Sequence, residues 1–509
     1  MGEVDWSRGY PVSETYPPSW HSFQSPAHLQ VVCALMGVAW EVGPDTPMNM
    51  LEIGCGTGYT SLMLAAGNPK AQVLGLDYNP AHIAEARAMA AEAGLANAHF
   101  IDADLAEMST AEVRALPEFD LITVHGVWSW VGDPVREGVL RVIRQRLRAG
   151  GLVMMGYNAL PGAAGSLGLA RLVRKCMLGA AGSELGVAAA SKLVERLVAA
   201  EPAHLPPSAW RRLLTGEVPG ARPGYMLHEF QTEFWRPAFQ ADVAAALATA
   251  RCEYLGSATI DENFPQLSLS AAQRVLWEEA PDSAGRELLF DVFVPRAFRR
   301  DVYARGLRRV PRDAAVDALW LATAVHTYGA VKLRSQAGEA MLPPAMVHAV
   351  RAALLEGPKT VGALRALPAC AKATSAELLA MLVEADVAVP LWRAPGRGAD
   401  WGGELAASRR LNAVAARRFA PHGVGAGQYG LATPALGGGL TVPPMELAVA
   451  NLAAQAGAAV RGPQDAEIIV QGLLPPGGEQ TDETMAQVRK IVAALLAERL
   501  PVWRALGIA

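Results

Sequence analysis

A glycine-rich turn directly after a short apolar segment constrains the fold of this chain more than any other feature. The sequence LEIGCGTGYT covers residues 51–60. Gly54 and Gly56 allow a tight turn and let a ligand approach the backbone, and Gly58 lies where the following helix must pack closely on the sheet. Strand, glycine turn and helix in this order form the ligand-binding corner of many open α/β sheets.

The segments around this turn alternate between apolar runs of strand length and helical patterns. The runs begin at residues 48, 71, 98, 119 and 150, and the helical patterns cover residues 26–40, 59–67, 80–93, 107–115 and 134–148. Alternating strands and helices imply right-handed crossovers. The pattern therefore predicts a doubly wound, parallel, Rossmann-like sheet.

We divide the chain into four parts on the basis of these patterns. They are an N-terminal lid segment rich in proline and aromatic residues (1–24), the α/β domain (25–165), a mainly helical regulatory or substrate domain (166–335) and a C-terminal helical domain (336–509). Within the last domain, residues 345–392 follow the order helix, short helix, helix and strand, which resembles a winged-helix module. Residues 393–404 and 421–444 are rich in loop-forming residues.

Two details separate the turn from a dinucleotide-binding loop, which uses the spacing G-x-G-x-x-G. The third glycine, Gly58, comes one position early, and Glu52 lies two residues before the first glycine. A carboxylate at this point repels a pyrophosphate but attracts a methionine-like ammonium or a sulfonium. The turn therefore favours S-adenosylmethionine as the ligand.

Carboxylates also end the next two predicted strands. Asp77 can accept both hydroxyl groups of a ribose, an interaction that dinucleotide-binding folds use as well. Asp104 can accept a hydrogen bond from the adenine amine, with Asp102 as the competing candidate. A helix N-cap is the structural alternative for either residue. Together with Glu52 and the glycines, these carboxylates predict a methyltransferase.

Several stretches resemble the class I S-adenosylmethionine-dependent methyltransferases, and within them a bacterial group whose methyltransferase domain precedes a regulatory domain. These stretches are Gln24-Ser25-Pro26, LEIGCGTG, DYNPAHIAEAR at 77–87, FDLITVHGVWSWV at 119–131 and GYNALPG at 156–162, followed by the regulatory-like segments 228–247, 256–264 and 298–306. The group includes rickettsial protein lysine methyltransferases. The resemblance implies S-adenosyl-L-methionine as methyl donor and S-adenosyl-L-homocysteine as product.

Four residues at two strand ends are candidates for the transfer step. His125 is the candidate base, because an imidazole titrates near neutral pH, and it is also counted as a cofactor contact. Trp128 could form an aromatic wall against a sulfonium or an ammonium, while Tyr157 and Asn158 could bind the nucleophile. Packing is the alternative for His125 and Trp128, and a turn into the next domain is the alternative for Asn158.

The remaining cofactor candidates flank these motifs. Cys55 and Tyr78 belong to the glycine turn and to the end of the second strand, and Tyr16 and Gln24 could close over the cofactor as part of a lid that excludes water. The pair His228 and Glu229 is a candidate cleft contact or only the start of a helix.

Composition narrows the classes of partner. The net charge of −4 and the pI near 6.2 give no support for nucleic-acid binding, and no apolar stretch is long enough for a membrane span. Five scattered cysteines without a CxxC pair predict neither a disulfide framework nor a metal site, which suits the cytoplasm. The arginines between 296 and 312 form either a solvated face paired with acids or a docking surface for an acidic partner.

Two enzymatic functions and one non-enzymatic function remain open from the sequence. The first is methylation of a nitrogen, such as a lysine-like amine, on a protein or peptide. The second is N-, O- or C-methylation of a small molecule in a biosynthetic pathway. The third is a cofactor-sensing or interaction protein, which the intact cofactor motif disfavours. A homodimer is compatible with all three.

Overall fold

The structure is a computed structural model that describes residues 9–10, 15–178, 183–217, 223–324, 330–335, 338–394, 404–420, 428–473 and 482–509. The first elements are α1 (Pro26–Leu35), β1 (Val38–Ala39), β2 (Met48–Ile53), α2 (Tyr59–Gly67), β3 (Ala71–Asp77), α3 (Pro80–Ala93), β4 (Ala98–Asp102), α4 (Thr110–Ala115), β5 (Phe119–His125), α5 (Asp133–Arg146) and β6 (Leu147–Asn158). The alternation of strands and helices is as predicted.

Local sequence explains the ends of these helices. Asn79 caps α3, because its side chain accepts a hydrogen bond from the Ala81 amide at 2.9 Å, and Pro80 occupies the first helical position. Helix α1 ends at Leu35, five residues earlier than predicted. The backbone turns at Gly37, where φ is +62°, and the chain then enters β1.

The next part of the chain is mainly helical but also contains three strands. It consists of α6 (Leu167–Leu178), α7 (Ser183–Ala199), α8 (Ala209–Leu214), α9 (Pro223–Phe230), α10 (Gln240–Ala248), β7 (Glu253–Ser257), α11 (Pro265–Ser268), α12 (Ala271–Glu278), α13 (Ser283–Phe293), β8 (Phe298–Ala304) and β9 (Arg308–Arg309). Two of these strands, β7 and β8, belong to the main sheet.

The main sheet has seven strands in the order β4-β3-β2-β5-β6-β8-β7. The first five are parallel, whereas β8 runs antiparallel to both β6 and β7. The sheet is therefore mixed and not wholly parallel, because residues 253–304 add the strands β7 and β8 to it. The domain boundary at residue 165 stays a prediction. The glycine turn follows β2, where the strand order reverses, which is the position of ligand sites in open α/β sheets.

Residues 312–390 contain the predicted series of three helices and a strand. Their elements are α14 (Arg312–Asp317), β10 (Trp320–Thr323), β11 (Lys332–Ser335), β12 (Gly338–Met341), α15 (Pro344–Leu355), β13 (Lys359–Thr360), α16 (Val361–Arg365), α17 (Ser375–Glu384) and β14 (Ala388–Pro390). Strand β10 lies between β13 and β14 in a small antiparallel sheet. The order of elements is confirmed, and the winged-helix assignment stays a prediction.

The last part packs on the α/β core. It contains α18 (Glu404–Phe419), β15 (Tyr429–Thr433), β16 (Gly438–Val442), α19 (Pro444–Ala456), α20 (Ala466–Leu473) and α21 (Asp482–Ala505). The loop predicted at 421–444 is wrong over its described part, because β15 and β16 form a hairpin there; residues 421–427 lie outside the described residues.

This hairpin joins the last part of the chain to α2 and to the N-terminal segment. A Cβ atom on Gly67 would lie 2.3 Å from the Gly438 amide nitrogen, and the fully buried Trp20 donates its indole N–H to the Gly439 carbonyl at 3.2 Å. One hydrophobic core includes residues from Trp20 to Ile508, and the domain boundary at residue 336 stays a prediction. Across the described ranges, no helix combines the length and the apolar character needed to cross a membrane.

Candidate active site

A cavity of about 770 Å³ lies at the carboxyl ends of β2, β3, β5 and β6. It brings together most of the residues predicted from the sequence. Those that line it are Tyr16, Glu52, Gly54, Cys55, Gly56, Asp77, Tyr78, Asp104, His125 and Asn158, whereas Gln24, Gly58, Trp128 and Tyr157 do not.

The glycine turn shapes one wall of this cavity. At Gly56, φ is +54° and an added Cβ would meet nothing within 4 Å, so the backbone faces open space. At Gly54, φ is +74° and a Cβ would lie 2.2 Å from Val127 Cγ2. Gly58 has a different role: a Cβ there would lie 2.6 Å from Phe100 Cε1, so this glycine allows close packing. Gly58 does not line the cavity, and its assignment as a cofactor contact stays a prediction.

Glu52 lies at the end of β2 beneath the turn and is only 6% exposed. Its carboxylate accepts a hydrogen bond from the Ser61 hydroxyl at 2.5 Å. Burial raises the pKa of Glu52 to about 7, and Asp77 adds to the rise, while Ser61 and the fully buried Gln24 oppose it. Gln24 does not line the cavity, and neither polar atom of its side chain has a hydrogen-bond partner among the described residues, so its role as a lid residue stays a prediction.

Asp77 ends β3 and organises the neighbouring backbone. One carboxylate oxygen accepts from the Gly56 amide at 2.8 Å, and the other accepts from the Asn79 amide at 2.9 Å. The second oxygen also lies 3.0 Å from Nδ1 of the buried His82. These contacts hold the carboxylate at the cavity wall, as a residue that binds ribose hydroxyls requires.

Of the two carboxylates after β4, the structure brings Asp104 to the cavity. Asp104 lines the wall, and its Oδ1 accepts from the Ala106 amide at 2.9 Å. Asp102 is exposed, lies 3.8 Å from Arg87 Nη2 and does not line the cavity. Asp104 thus has the predicted cavity position, and its alternative as a helix N-cap is wrong, because α4 begins only at Thr110 and is capped by Ser109.

His125 ends β5, and its buried ring packs among other rings. The ring centroids lie 4.5 Å from that of His21, 5.0 Å from that of Phe23 and 5.4 Å from that of Phe298. Burial lowers the pKa of His125 well below its usual value, and the neighbouring His21 and Arg300 lower it further. His125 is therefore a neutral imidazole near pH 7.

Two predicted catalytic residues, Tyr157 and Trp128, do not line the cavity. Tyr157 is fully buried on β6, and its hydroxyl donates to Asp301 at 2.6 Å on β8. Trp128 is buried too, and the Arg136 guanidinium lies 5.4 Å from its ring centroid. Both placements contradict a role in the transfer step. The neighbouring residues Trp130 and Asn158 line the cavity instead.

Sequence reasoning missed Arg300, which lies at the start of β8 and lines the cavity. Its guanidinium lies 4.6 Å from the Phe23 ring centroid and 5.4 Å from that of Phe298. The signal was the arginine cluster, but only part of that cluster reaches the cavity. Arg296 and Arg299 form buried ion pairs with acids, so pairing with acids is confirmed for them and a solvated face is wrong.

Helix α9 and the N-terminal segment roof the cavity. Tyr225, His228 and Glu229 of α9 line it together with Tyr10 and Tyr16. Burial raises the pKa of Glu229 to about 7. The predicted cleft position of His228 and Glu229 is thus observed, and the segment before α1 does cover the cavity. The parts of the predicted lid at 1–8 and 11–14 lie outside the described residues.

These residues fit S-adenosylmethionine, which supplies an electrophilic methyl group on a sulfonium. Glu52 would hold its amino group, Asp77 its ribose and Asp104 its adenine, since all three line the cavity, and Gly56 leaves the backbone open there. Gly126, with φ of +69°, likewise has nothing within 4 Å of an added Cβ. Within the described ranges, no group of three metal-binding side chains could hold a metal ion.

The raised pKa of Glu52 makes ligand affinity depend on pH. Glu52 is largely protonated at pH 6 and largely ionised at pH 8, so its attraction for the cationic amino group of S-adenosylhomocysteine grows over this range. We expect affinity to rise about tenfold between these pH values and then level off. Titration calorimetry measures this, and Glu52→Gln should bind weakly with a flat profile. An unchanged profile in Glu52→Gln would assign the titration to another group.

Two family models match the chain. Residues 44–182 match a methyltransferase domain, and residues 222–305 match a domain described as a predicted methyltransferase regulatory domain. An uncharacterized protein of Synechocystis is 29% identical over 368 residues, which is 71% of this chain and 72% of that protein. A malonyl-[acyl-carrier protein] O-methyltransferase of Anoxybacillus flavithermus is 30% identical over 112 residues, only 22% of this chain and 40% of that enzyme.

Solved structures share the fold over nearly the whole chain. PKMT2 from Rickettsia typhi, solved alone and in complex with AdoHcy, superposes with TM-scores of 0.67 and 0.66 at 18% identity, covering 96% of this chain and 99% of that chain. The family matches and the cavity together identify the chemistry. The chain is a class I S-adenosylmethionine-dependent methyltransferase whose methyltransferase domain is followed by a methyltransferase regulatory domain.

Proposed function

We propose that the enzyme methylates a lysine-like amine on a protein or peptide. The observation that carries this proposal is the environment at the end of β5 and the start of β8. Burial lowers the pKa of His21 to about 4, and the charge of Arg300 contributes to the decrease. The same two causes act on His125. This end of the cavity thus disfavours an additional positive charge.

An amine acceptor needs such an environment. A lysine amine has a pKa of about 10.4, and only its neutral form has a free lone pair for attack on a methyl group. Burial and a nearby cation lower the pKa of an amine in the same way as they lower that of an imidazole. The chain would therefore bind the neutral amine, and the proton would leave to water before the transfer.

This environment changes the role expected for His125. A pKa well below the usual value makes the neutral His125 imidazole a weak proton acceptor. The general-base role therefore stays a prediction that this environment does not support. The His125 ring packs against those of His21, Phe23 and Phe298 and also lines the cavity, which supports a role in positioning the acceptor.

Aromatic residues support an amine acceptor as well. Trp130, Trp210 and Trp235 line the cavity, and the Trp235 indole N–H donates to Asn158 Oδ1 at 2.8 Å. Aromatic faces attract alkylated ammonium groups, which are the products of amine methylation. PKMT2 from Rickettsia typhi shares the fold over 96% of this chain, which favours a protein or peptide acceptor.

One observation favours a second candidate, methylation of a carboxylate on a small molecule. Among the described residues, Arg300 has no carboxylate within ion-pair distance, and its Nε has no hydrogen-bond partner. An acceptor carboxylate could bind there and would need no deprotonation. The relative from Anoxybacillus flavithermus is an O-methyltransferase by name.

A methylation assay with labelled S-adenosylmethionine and lysine-containing peptides tests the proposal. Because only the neutral amine reacts, kcat/KM should rise about tenfold per pH unit between pH 7 and 9. Arg300→Met should change kcat/KM at most severalfold, comparable to Arg212→Met, which alters an exposed arginine of the cavity wall.

Three outcomes would favour the second candidate instead. They are label confined to small molecules of a cell lysate, a methyl group that mild base removes as an ester, and a rate that is flat over this pH range. In that case Arg300→Met should lower kcat/KM about a hundredfold, because a charged hydrogen bond to the acceptor is lost, while Arg212→Met should have little effect.

A further inference from the structure

We propose that His82 is a positioning residue that couples residues 15–24 of the N-terminal segment to Asp77, so that these residues close over the cavity when the cofactor is bound. His82 belongs to α3 and is 2% exposed. Its Nδ1 lies 3.0 Å from Asp77 Oδ1, and its Nε2 accepts a hydrogen bond from the Tyr16 amide at 3.0 Å. One ring thus bridges the strand end and the segment that covers it.

The two partners determine the tautomer of the ring. The backbone N–H of Tyr16 can only donate, so Nε2 must be an unprotonated acceptor. The ring proton therefore resides on Nδ1 and is donated to Asp77. A neutral imidazole with its proton on Nδ1 satisfies both contacts, and neither a protonated ring nor the other tautomer can do so.

The contacts on either side of His82 extend this bridge across the cavity. On one side, Asp77 accepts from the Gly56 amide of the glycine turn at 2.8 Å. On the other side, the Tyr16 ring lies between Tyr225 and His228 of α9, with ring centroids 6.2 Å and 5.3 Å apart. His82 therefore contacts the strand end that holds the glycine turn, the backbone of the N-terminal segment and, with ring centroids 6.0 Å apart, His228 of α9.

Coupling between the segment and the cofactor follows from these contacts. Asp77 is the carboxylate assigned to the ribose. Its orientation depends on Oδ1, the oxygen that accepts the hydrogen bond from His82 Nδ1. The segment that His82 holds should therefore be better ordered when the ribose of the ligand is bound to Asp77. By reciprocity, an ordered segment should strengthen binding of the ligand at Asp77. The alternative is that His82 only orients Asp77, without regard to the segment.

Hydrogen exchange of residues 15–24, with and without saturating S-adenosylhomocysteine, distinguishes these roles. In the wild-type protein we expect the product to slow exchange of the Tyr16 amide about tenfold or more, within the usual range of coupling between sites. His82→Asn retains a donor near the position of Nδ1 but has no acceptor for Tyr16. His82→Leu removes both contacts, and calorimetry establishes saturation for each variant.

If His82 couples the two regions, the slowing disappears in His82→Asn as well as in His82→Leu, and both variants bind the product several times more weakly. His99→Leu, which alters an exposed histidine on β4 that contacts only Gln72 among the described residues, should behave like the wild type. Wild-type slowing in His82→Asn, or no slowing in the wild type, would overturn the proposal. The wild-type measurement keeps it testable even if His82→Leu does not fold.

Discussion

Replacing Arg299 by methionine should destabilise the protein by about 3–5 kcal/mol, the usual cost of removing one partner from a buried ion pair. Arg299 is fully buried and donates to Asp301 at 3.0 Å, to Asp291 at 2.9 Å and to Glu287 at 2.7 Å. Methionine fills similar space but removes the ion-pair partner of the buried Asp301, which keeps the Tyr157 hydroxyl, while Asp291 and Glu287 still pair with Arg296. The free energy of unfolding in urea at pH 8 measures the loss.

The matched control is Arg308→Met, only nine residues along the chain. The ion pair of Arg308 with Glu41, at 2.9 Å, is exposed on both sides, and exposed pairs contribute about 1 kcal/mol or less. Equal losses in the two variants would contradict the buried network as a source of stability.

The pH dependence of the Arg299→Met variant provides a second check. Burial raises the pKa of Asp301 to about 6 even beside Arg299, and removal of the arginine should raise it further. A carboxyl whose pKa is raised in the folded state binds a proton there in preference to the unfolded state, so it stabilises the fold as pH falls. The penalty should therefore be smaller near pH 5 than at pH 8.

Local signals explain why the first half of the α/β domain could be predicted. The bounds of α3 follow from Asn79 and Pro80, which act within one turn of helix. Glu52, Gly56 and Asp77 follow strands that end at the same edge of a parallel sheet, so their proximity depends only on the strand order. Such residues can be placed without knowledge of the rest of the chain.

The direction of individual side chains was harder to predict. Side chains alternate between the two faces of a strand, so a shift of one residue determines whether a side chain reaches the cavity. Tyr157 points to Asp301 within the sheet, whereas Asn158 lines the cavity. The sequence has no local feature that distinguishes them, because both residues follow the same apolar run.

Long-range contacts account for the other differences. Arg300 reaches the cavity because β8 pairs with β6. The paired residues Gly156 and Arg300 lie 144 positions apart in the sequence. The hairpin at β15 and β16 resembled a loop because glycines usually mark loops. Here they permit close packing: a Cβ on Gly439 would lie 2.1 Å from the Met63 Cε atom. Such glycines become interpretable only when the opposing residue is known.

Replacing Asp77 by alanine should weaken binding of S-adenosylhomocysteine by about a hundredfold or more. Each hydrogen bond from a ribose hydroxyl to an ionised carboxylate is worth about 1.5–3 kcal/mol, and two such bonds correspond to at least two powers of ten in affinity. Alanine also leaves the Gly56 amide without its partner in the glycine turn. Titration calorimetry measures the affinity, and thermal unfolding monitors the fold.

The neighbouring strand provides the controls for this loss. Asp102 is paired in register with Asp77 but is exposed and does not line the cavity, so Asp102→Ala should bind the product like the wild type. Asp104→Ala should weaken binding about tenfold, the equivalent of one hydrogen bond. The three carboxylates have the same charge but differ in their access to the cavity. The order of the affinity losses in the three alanine variants therefore distinguishes direct contact with the ligand from general electrostatic attraction. Equal losses at Asp102 and Asp77 would show that charge alone governs affinity and would remove the assignment of Asp77 to the ribose.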